Sequence, residues 1–76
     1  MRVQILGMGC PKCKQLAANA EQALKELGLD GHVEKVEDIR EIAKFKVMMT
    51  PALVINGEVK ASGKVLSAEE IKKLLQ

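Results

Sequence analysis

The apolar positions of this chain change their spacing several times, and each change predicts an element of secondary structure. Residues 2–6 (RVQIL) form a short, partly alternating run that ends at Gly7, which predicts a strand. From Pro11 the apolar residues recur at three- and four-residue steps, which predicts an amphipathic helix that ends at Gly28. The apolar face of this helix consists of Cys13, Leu16, Ala17, Ala20, Ala23, Leu24 and Leu27.

A second strand and a short helix are predicted after the first helix. Residues 32–37 (HVEKVE) have weak strand character. Asp38 and Glu41 have the spacing of a capping box, in which Asp38 begins a helix and Glu41 reaches back to it. We expect the buried side of this helix to consist of Ile39, Ile42 and Ala43.

The last third of the chain predicts a β-hairpin and a final helix. Residues 52–55 (ALVI) and 58–62 are strand candidates, because the Asn-Gly pair at 56–57 is a strong signal for a tight hairpin turn. Ser67 and Glu70 form another capping box. The buried stripe of the final helix is predicted to be Ile71, Leu74 and Leu75. The predicted order of elements is therefore βαβαββα.

The composition of the chain indicates its number of domains and argues against some classes of partner. The chain has 76 residues, of which 47% are hydrophobic, and we expect one globular domain over residues 1–76. A net charge of +2 and a single aromatic residue, Phe45, give neither a strong field nor a stacking surface for nucleic acid. The N-terminus lacks the long apolar segment of a signal peptide, and no stretch approaches the roughly 20 apolar residues of a membrane span. We therefore expect a cytoplasmic protein that binds neither nucleic acid nor membranes.

The candidate chemistry lies in Cys10-Pro-Lys-Cys13. In a reducing compartment, two cysteines at this spacing favour a redox or metal pair over a structural disulfide. Cys13 falls on the apolar face of the helix, whereas Cys10 lies at its exposed entrance, where N–H groups and the helix dipole favour a thiolate. The pattern therefore predicts that Cys10 attacks a disulfide and that Cys13 resolves the mixed disulfide. Lys12 is close enough to assist, and a solvated lysine is the alternative.

Metal binding is the main alternative for the same stretch. GMGCPKC resembles the loop of the heavy-metal-associated domain of copper chaperones, and two thiolates, here Cys10 and Cys13, suit Cu(I). That family has the order βαββαβ and ends in a strand, whereas this chain is predicted to end in a helix. His32 is the only histidine, so one chain cannot build a closed four-ligand zinc site from cysteine and histidine alone. A buried inert pair and an interaction domain with a relic or sensor pair also remain open.

The wider sequence resembles the thioredoxin-like superfamily, and especially its short redox-active disulfide proteins from archaea and bacteria. The resemblance rests on CPKC, on Thr50-Pro51 before the hairpin and on the final helix, and it covers the whole chain. It implies an α/β, minimal thioredoxin-like fold with a four-stranded mixed sheet and helices on both faces. It also implies a thiol–disulfide oxidoreductase with no cofactor besides the Cys10–Cys13 pair. Its implied partners are disulfide-containing proteins and an external disulfide reductase.

The resemblance further assigns roles to residues around the cysteines. In this superfamily the proline is cis and lies beside the CxxC motif, and the backbone of the residue before it pairs with the substrate chain. The implied substrate-binding residues are Met49, Thr50, Pro51 and Gly63. The local sequence, rather than the resemblance, predicts three supporting residues, which are Gly9 in the turn before Cys10, Pro11 in the first turn of the helix and Lys12 near the cysteines. We expect the protein to be a monomer.

Overall fold

The seven predicted elements are present in the computed structural model, which describes residues 2–76. The strands are β1 (Arg2–Leu6), β2 (His32–Val36), β3 (Ala52–Ile55) and β4 (Glu58–Ser62). The helices are α1 (Pro11–Leu27), α2 (Ile39–Lys44) and α3 (Ala68–Leu75). The four strands form one mixed sheet in the order β2-β1-β3-β4, in which β1 is parallel to β2 and antiparallel to β3, and β3 is antiparallel to β4. The α/β fold predicted from the sequence is therefore confirmed.

Alternate residues of β1 and β3 supply two cores, one on each face of the sheet. Val3, Ile5 and Leu53 pack with the apolar stripes of α1 and α3. Leu6 packs on the opposite face with Ile42 of α2. This division follows from the two-residue period of a strand, and it places helices on both faces as expected.

Local signals determine the ends of the longer helices. Gly28 ends α1 in a left-handed conformation with φ of 65°, which glycine adopts without a steric penalty. Ser67 begins α3 in a complete capping box, since its hydroxyl accepts from the Glu70 N–H and the Glu70 carboxylate accepts from the Ser67 N–H. Ile71 and Leu75 are buried as predicted, but Leu74 is partly exposed at the edge of the stripe.

The predictions for β2 and α2 need corrections. Strand β2 ends at Val36, one residue earlier than predicted, and Glu37 lies in the following loop. Asp38 caps α2 by accepting from the Arg40 N–H, but Glu41 pairs with Lys44 instead of reaching back. Ile42 is buried, whereas Ile39 is 67% exposed and Ala43 is also exposed. A helix of six residues presents only a narrow face to the sheet, so one side chain fills it.

The strand register brings distant parts of the chain to one edge of the sheet. Leu6 is opposite Val36 of β2 on one side and opposite Ala52 of β3 on the other. The loop after β1, the loop after β2 and the segment before β3 therefore meet there. This edge carries the cysteine pair.

Candidate active site

Cys10 is the N-cap residue of α1. Its backbone is extended, with φ of −69° and ψ of 162°, and its carbonyl accepts the first helical hydrogen bond from the Lys14 N–H at 3.0 Å. Its sulfur accepts a hydrogen bond from the Cys13 N–H at 3.2 Å. Sulfur thus takes the place of the side-chain oxygen that usually caps a helix. Cys10 is half-buried, so it is less exposed than the sequence predicted.

Cys13 lies one helical turn further along and is buried, with 6% of its surface exposed. Its neighbour across the site is Gly7, the residue directly after β1. A Cβ atom at position 7 would overlap with the Cys13 sulfur, so only glycine leaves the space that this sulfur occupies. The burial of Cys13 confirms the expectation from the helix stripe.

The two free thiols differ in acidity. A hydrogen bond from the Cys13 thiol, followed by that from the Cys13 N–H, lowers the pKa of Cys10. Burial raises the pKa of Cys13, and the hydrogen bond that its thiol donates to Cys10 raises it further. The geometry therefore favours a thiolate on Cys10 and a protonated thiol on Cys13.

The Thr50-Pro51 peptide bond is cis, as the family resemblance implied. Pro51 is fully buried, whereas Thr50 is exposed. The Thr50 Cβ lies 3.9 Å from the position that a Cβ on Gly7 would occupy, so Thr50 lies next to the space filled by Cys13. The structure therefore brings this segment and the cysteine pair together.

Gly63 joins the same edge from the end of β4. Its N–H donates to the Pro51 carbonyl at 2.8 Å. Its φ of 77° suits glycine, and a Cβ at this position would lie 3.1 Å from the Cβ of Met49. Gly63 thus holds the segment of Met49 and Pro51 in place through a backbone hydrogen bond and close packing.

Exposed methionines surround this edge. Met8, Met48 and Met49 are 64%, 97% and 62% exposed. Met8 and Met48 line an open groove of about 250 Å³ that extends from Thr50 along α2. Core packing is the commoner fate of a methionine, but all three of these side chains lie at the surface.

The three predicted supporting residues lie at the helix entrance. Gly9 has a φ of 81°, a conformation that glycine tolerates, in the turn before Cys10. Pro11 occupies the first turn of α1, where its missing N–H leaves no broken hydrogen bond. Lys12 is exposed, and its backbone N–H helps to lower the pKa of Cys10.

Sequence reasoning missed two residues of this site, Gly7 and Glu37. Both lie directly after the parallel strands β1 and β2, and the Gly7 N–H donates to the Val36 carbonyl at 3.0 Å. The carboxyl ends of parallel neighbours meet at one edge of a sheet. That rule, applied to the predicted strands, was the signal available for both residues.

The described residues do not favour the metal alternative. Within residues 2–76, no group of three or more His, Cys, Asp or Glu side chains is arranged to hold a metal ion. His32 is exposed at the opposite end of β2, where its backbone is in register with Arg2 of β1.

Among residues 2–76, no helix is long and apolar enough to cross a membrane.

Comparisons with known proteins agree with this geometry. A sequence model for the family described as thioredoxin domain matches residues 1–76. A protein named thioredoxin from Methanothermobacter thermautotrophicus is 44% identical over 75 residues, which cover 99% of this chain and 97% of the relative. A thioredoxin from Methanocaldococcus jannaschii is 42% identical over 74 residues, which cover 97% of this chain and 85% of the relative.

Proposed function

The chain belongs to the thioredoxin family and is a thiol–disulfide oxidoreductase, and from this premise we propose that Cys10 is its nucleophile and Cys13 its resolving thiol. The observation that carries the assignment is the hydrogen bond from the Cys13 N–H to the Cys10 sulfur at the start of α1. It stabilises negative charge on the more accessible sulfur, while Cys13 stays buried behind it.

The proposed reaction consists of two successive thiol–disulfide exchanges. The Cys10 thiolate attacks one sulfur of a substrate disulfide, so that a mixed disulfide forms and the other substrate sulfur leaves as a thiolate. Cys13 then loses its proton and attacks the Cys10 sulfur. The second substrate sulfur leaves, and Cys10 and Cys13 become a disulfide. The substrate gains two electrons, and an external disulfide reductase must return two electrons to the protein.

We assign substrate binding to Met49, Thr50, Pro51 and Gly63. Thr50 is exposed next to the cysteine pair, so its backbone is available to an extended substrate chain. Gly63 and the buried Pro51 hold that backbone in place. Met49 and the neighbouring methionines add an adaptable apolar surface for varied protein partners.

Proteins with disulfides are the substrate class of this family, and a disulfide reductase is the partner class. We propose that this chain acts as a monomer in the cytoplasm, with the dithiol as its only redox group. The absence of a strong net charge and of an aromatic surface supports the proposal that nucleic acid is not a partner.

The proposed roles are tested by reduction of insulin with dithiothreitol as electron donor. The wild-type protein should accelerate the reaction, and Cys10→Ser should abolish the acceleration. Cys13→Ser should slow turnover, because only dithiothreitol is then left to resolve the mixed disulfide on Cys10. The roles are wrong if Cys10→Ser keeps wild-type activity.

A further inference from the structure

An open groove lies between the edge strand β4 and helix α3. Its volume is about 390 Å³, and its apolar lining consists of Ala61, Leu66 and Leu74. Leu66 is buried, whereas Leu74 is 38% exposed, so part of this apolar surface is open to solvent. The partial exposure of Leu74, on the stripe that otherwise packs α3 into the core, therefore faces a groove that a partner chain can enter.

Three lysines surround the apolar lining. Lys60 belongs to β4, Lys64 directly follows Gly63, and Lys73 lies in the last turn of α3. Lys64 and Lys73 are exposed, and among residues 2–76 neither makes an ion pair. Lys60 pairs with the exposed Glu58 at 3.0 Å, a kind of contact that contributes little at a surface. All three ammonium groups are therefore available to an anionic partner.

A β-bulge brings Lys60 into this groove. Leu53 of β3 is opposite Ala61, whereas the next residue, Val54, is opposite Val59, so Lys60 is the extra residue of the bulge. Strict alternation along β4 would place Lys60 and Ala61 on opposite faces of the sheet, yet both line the groove. The bulge thus directs the lysine towards α3, where the other two lysines lie.

One carboxylate, that of Glu70, also lines the groove. It accepts a hydrogen bond from the Ser67 N–H at 3.0 Å in the capping box of α3. This hydrogen bond, with smaller contributions from the positive charges of Lys64 and Lys73, lowers the pKa of Glu70. The carboxylate is thus ionised and already bound, and it offsets only one of three positive charges. The groove keeps a net positive charge.

The groove is continuous with the proposed substrate site. Gly63 donates its N–H to the Pro51 carbonyl at 2.8 Å, and Lys64 is the next residue along the chain. Strand β4 has five residues, and an extended chain rises about 3.3 Å per residue, so a segment laid along the strand covers about five residues. A substrate chain bound at Thr50 therefore reaches the groove with the residues that flank its cysteine.

We propose that this groove binds an acidic segment that flanks the reactive disulfide of a protein substrate. Aspartate or glutamate side chains of the segment pair with Lys60, Lys64 and Lys73, and an apolar side chain between them contacts Leu74. This names a preferred substrate class for the proposed function, and it rests on that function. The groove acts on binding of the substrate, whereas the cysteines carry out the exchange.

The test uses two peptide disulfides, each a disulfide-linked dimer of a peptide with one cysteine. The first peptide has aspartate and glutamate at about the third to sixth residues on either side of its cysteine, the reach expected for an extended flank. The second has asparagine and glutamine at the same positions. The second-order rate constant for reduction of each peptide by the reduced protein is measured by acid quenching and chromatography, and the ratio of the two rate constants reports the preference.

Lys73→Glu is the main variant, and Lys25→Glu is its matched control. Both lysines lie in the last turn of a helix, but Lys25 lies at the end of α1 and does not line the groove. The two variants therefore have the same net charge and a similar change near a helix C-terminus. Lys64→Gln, a milder change outside the helices, provides a second variant of the groove.

The wild-type protein should reduce the acidic peptide about fivefold faster than the amide peptide at low salt, because several surface ion pairs together favour binding. This preference should shrink towards equal rates in about 1 M sodium chloride, where exposed charges are screened. Lys73→Glu should lose most of the preference, and Lys64→Gln should lose part of it. Lys25→Glu should retain the wild-type ratio.

Three results would overturn the proposal. One is equal reduction of the two peptides by the wild-type protein at low salt. Another is the same loss of preference in Lys73→Glu and Lys25→Glu, which would assign it to net charge and not to the groove. The third is a concentration-dependent dimer in sedimentation that Lys73→Glu abolishes, which would assign the groove to a second copy of the chain. Failure of the proposed function is distinguishable, because Cys10→Ser would then reduce both peptides at wild-type rates.

Discussion

The Cys13 N–H donates to the Cys10 sulfur at 3.2 Å, and this relationship makes the two thiols chemically unequal. The sulfur that accepts lies at a helix N-terminus, where backbone N–H groups stabilise a thiolate. The residue that donates is held in the core beside Gly7. One turn of helix thus separates an attacking thiol from a resolving thiol.

This inequality predicts different pH profiles for alkylation by iodoacetamide. Cys10 should be labelled with a midpoint below the ordinary thiol pKa of about 8.5, because hydrogen bonds stabilise its thiolate. Cys13 should be labelled more slowly, with a midpoint above that value, because it is buried. Peptide mass spectrometry distinguishes the two sites. In Cys13→Ala, loss of the strongest hydrogen bond to Cys10 should move the Cys10 midpoint upward. Identical profiles for the two cysteines in the wild-type protein would contradict the assignment.

Gly7→Ala should disturb both stability and chemistry. The new Cβ overlaps with the Cys13 sulfur, and such overpacking costs roughly 1–3 kcal/mol in the free energy of unfolding. Displacement of the sulfur should also slow the second exchange. Urea unfolding measures the loss of stability. Reaction with Ellman's reagent measures the second exchange, because attack by Cys10 releases one thionitrobenzoate and attack by Cys13 releases another.

Gly28→Ala is the matched control for Gly7→Ala. No atom lies within 4 Å of the added Cβ, but the φ of 65° makes the backbone unfavourable. The Gly28→Ala substitution should lower the free energy of unfolding by about 1–2 kcal/mol and leave cysteine reactivity unchanged. Equal effects of the two variants on the second exchange would contradict the role given to Gly7.

The exposed methionines should matter for protein substrates only. Replacement of Met48 and Met49 by serine removes apolar contacts and should lower kcat/KM for insulin by about tenfold, or about 1.4 kcal/mol. The rate with Ellman's reagent should not change, because a small disulfide does not reach this surface. Leu29→Ser, an exposed apolar residue just past the other end of α1, serves as control. A similar loss with both disulfides would show that the methionines do not act through docking.

Much of the fold could be read from local signals. The apolar stripe and Gly28 predicted helix α1, Asn56-Gly57 predicted the hairpin, and Ser67 predicted the start of α3. The predictions that were wrong or missing concern contacts between elements of secondary structure. The exposure of Ile39 depends on how α2 lies against the sheet, and the positions of Gly7 and Glu37 near the cysteines depend on parallel pairing between two strands that are distant in sequence. No local pattern carries that information.

The capping box of α3 predicts an acid-sensitive contribution to stability. The hydrogen bond from the Ser67 N–H lowers the pKa of Glu70 in the folded protein. The contribution of this hydrogen bond to stability is therefore present above the unfolded pKa of about 4.3. It is lost as the pH falls through the pKa of Glu70 in the folded protein. The stability difference between wild type and Glu70→Gln should shrink over that acid range in thermal unfolding. Ser67→Ala should cost about 1 kcal/mol with no loss of insulin reduction.

The most direct test of the division of labour is intact-protein mass spectrometry after reaction with a peptide disulfide. The chain contains only two cysteines, so each single variant reports on one sulfur. Cys13→Ser should accumulate one peptide adduct on Cys10, because the first exchange proceeds and the second is absent. Cys10→Ser should stay almost free of adduct on the buried Cys13. Rapid adduct formation on Cys13, with Cys10 unmodified in the other variant, would contradict the account.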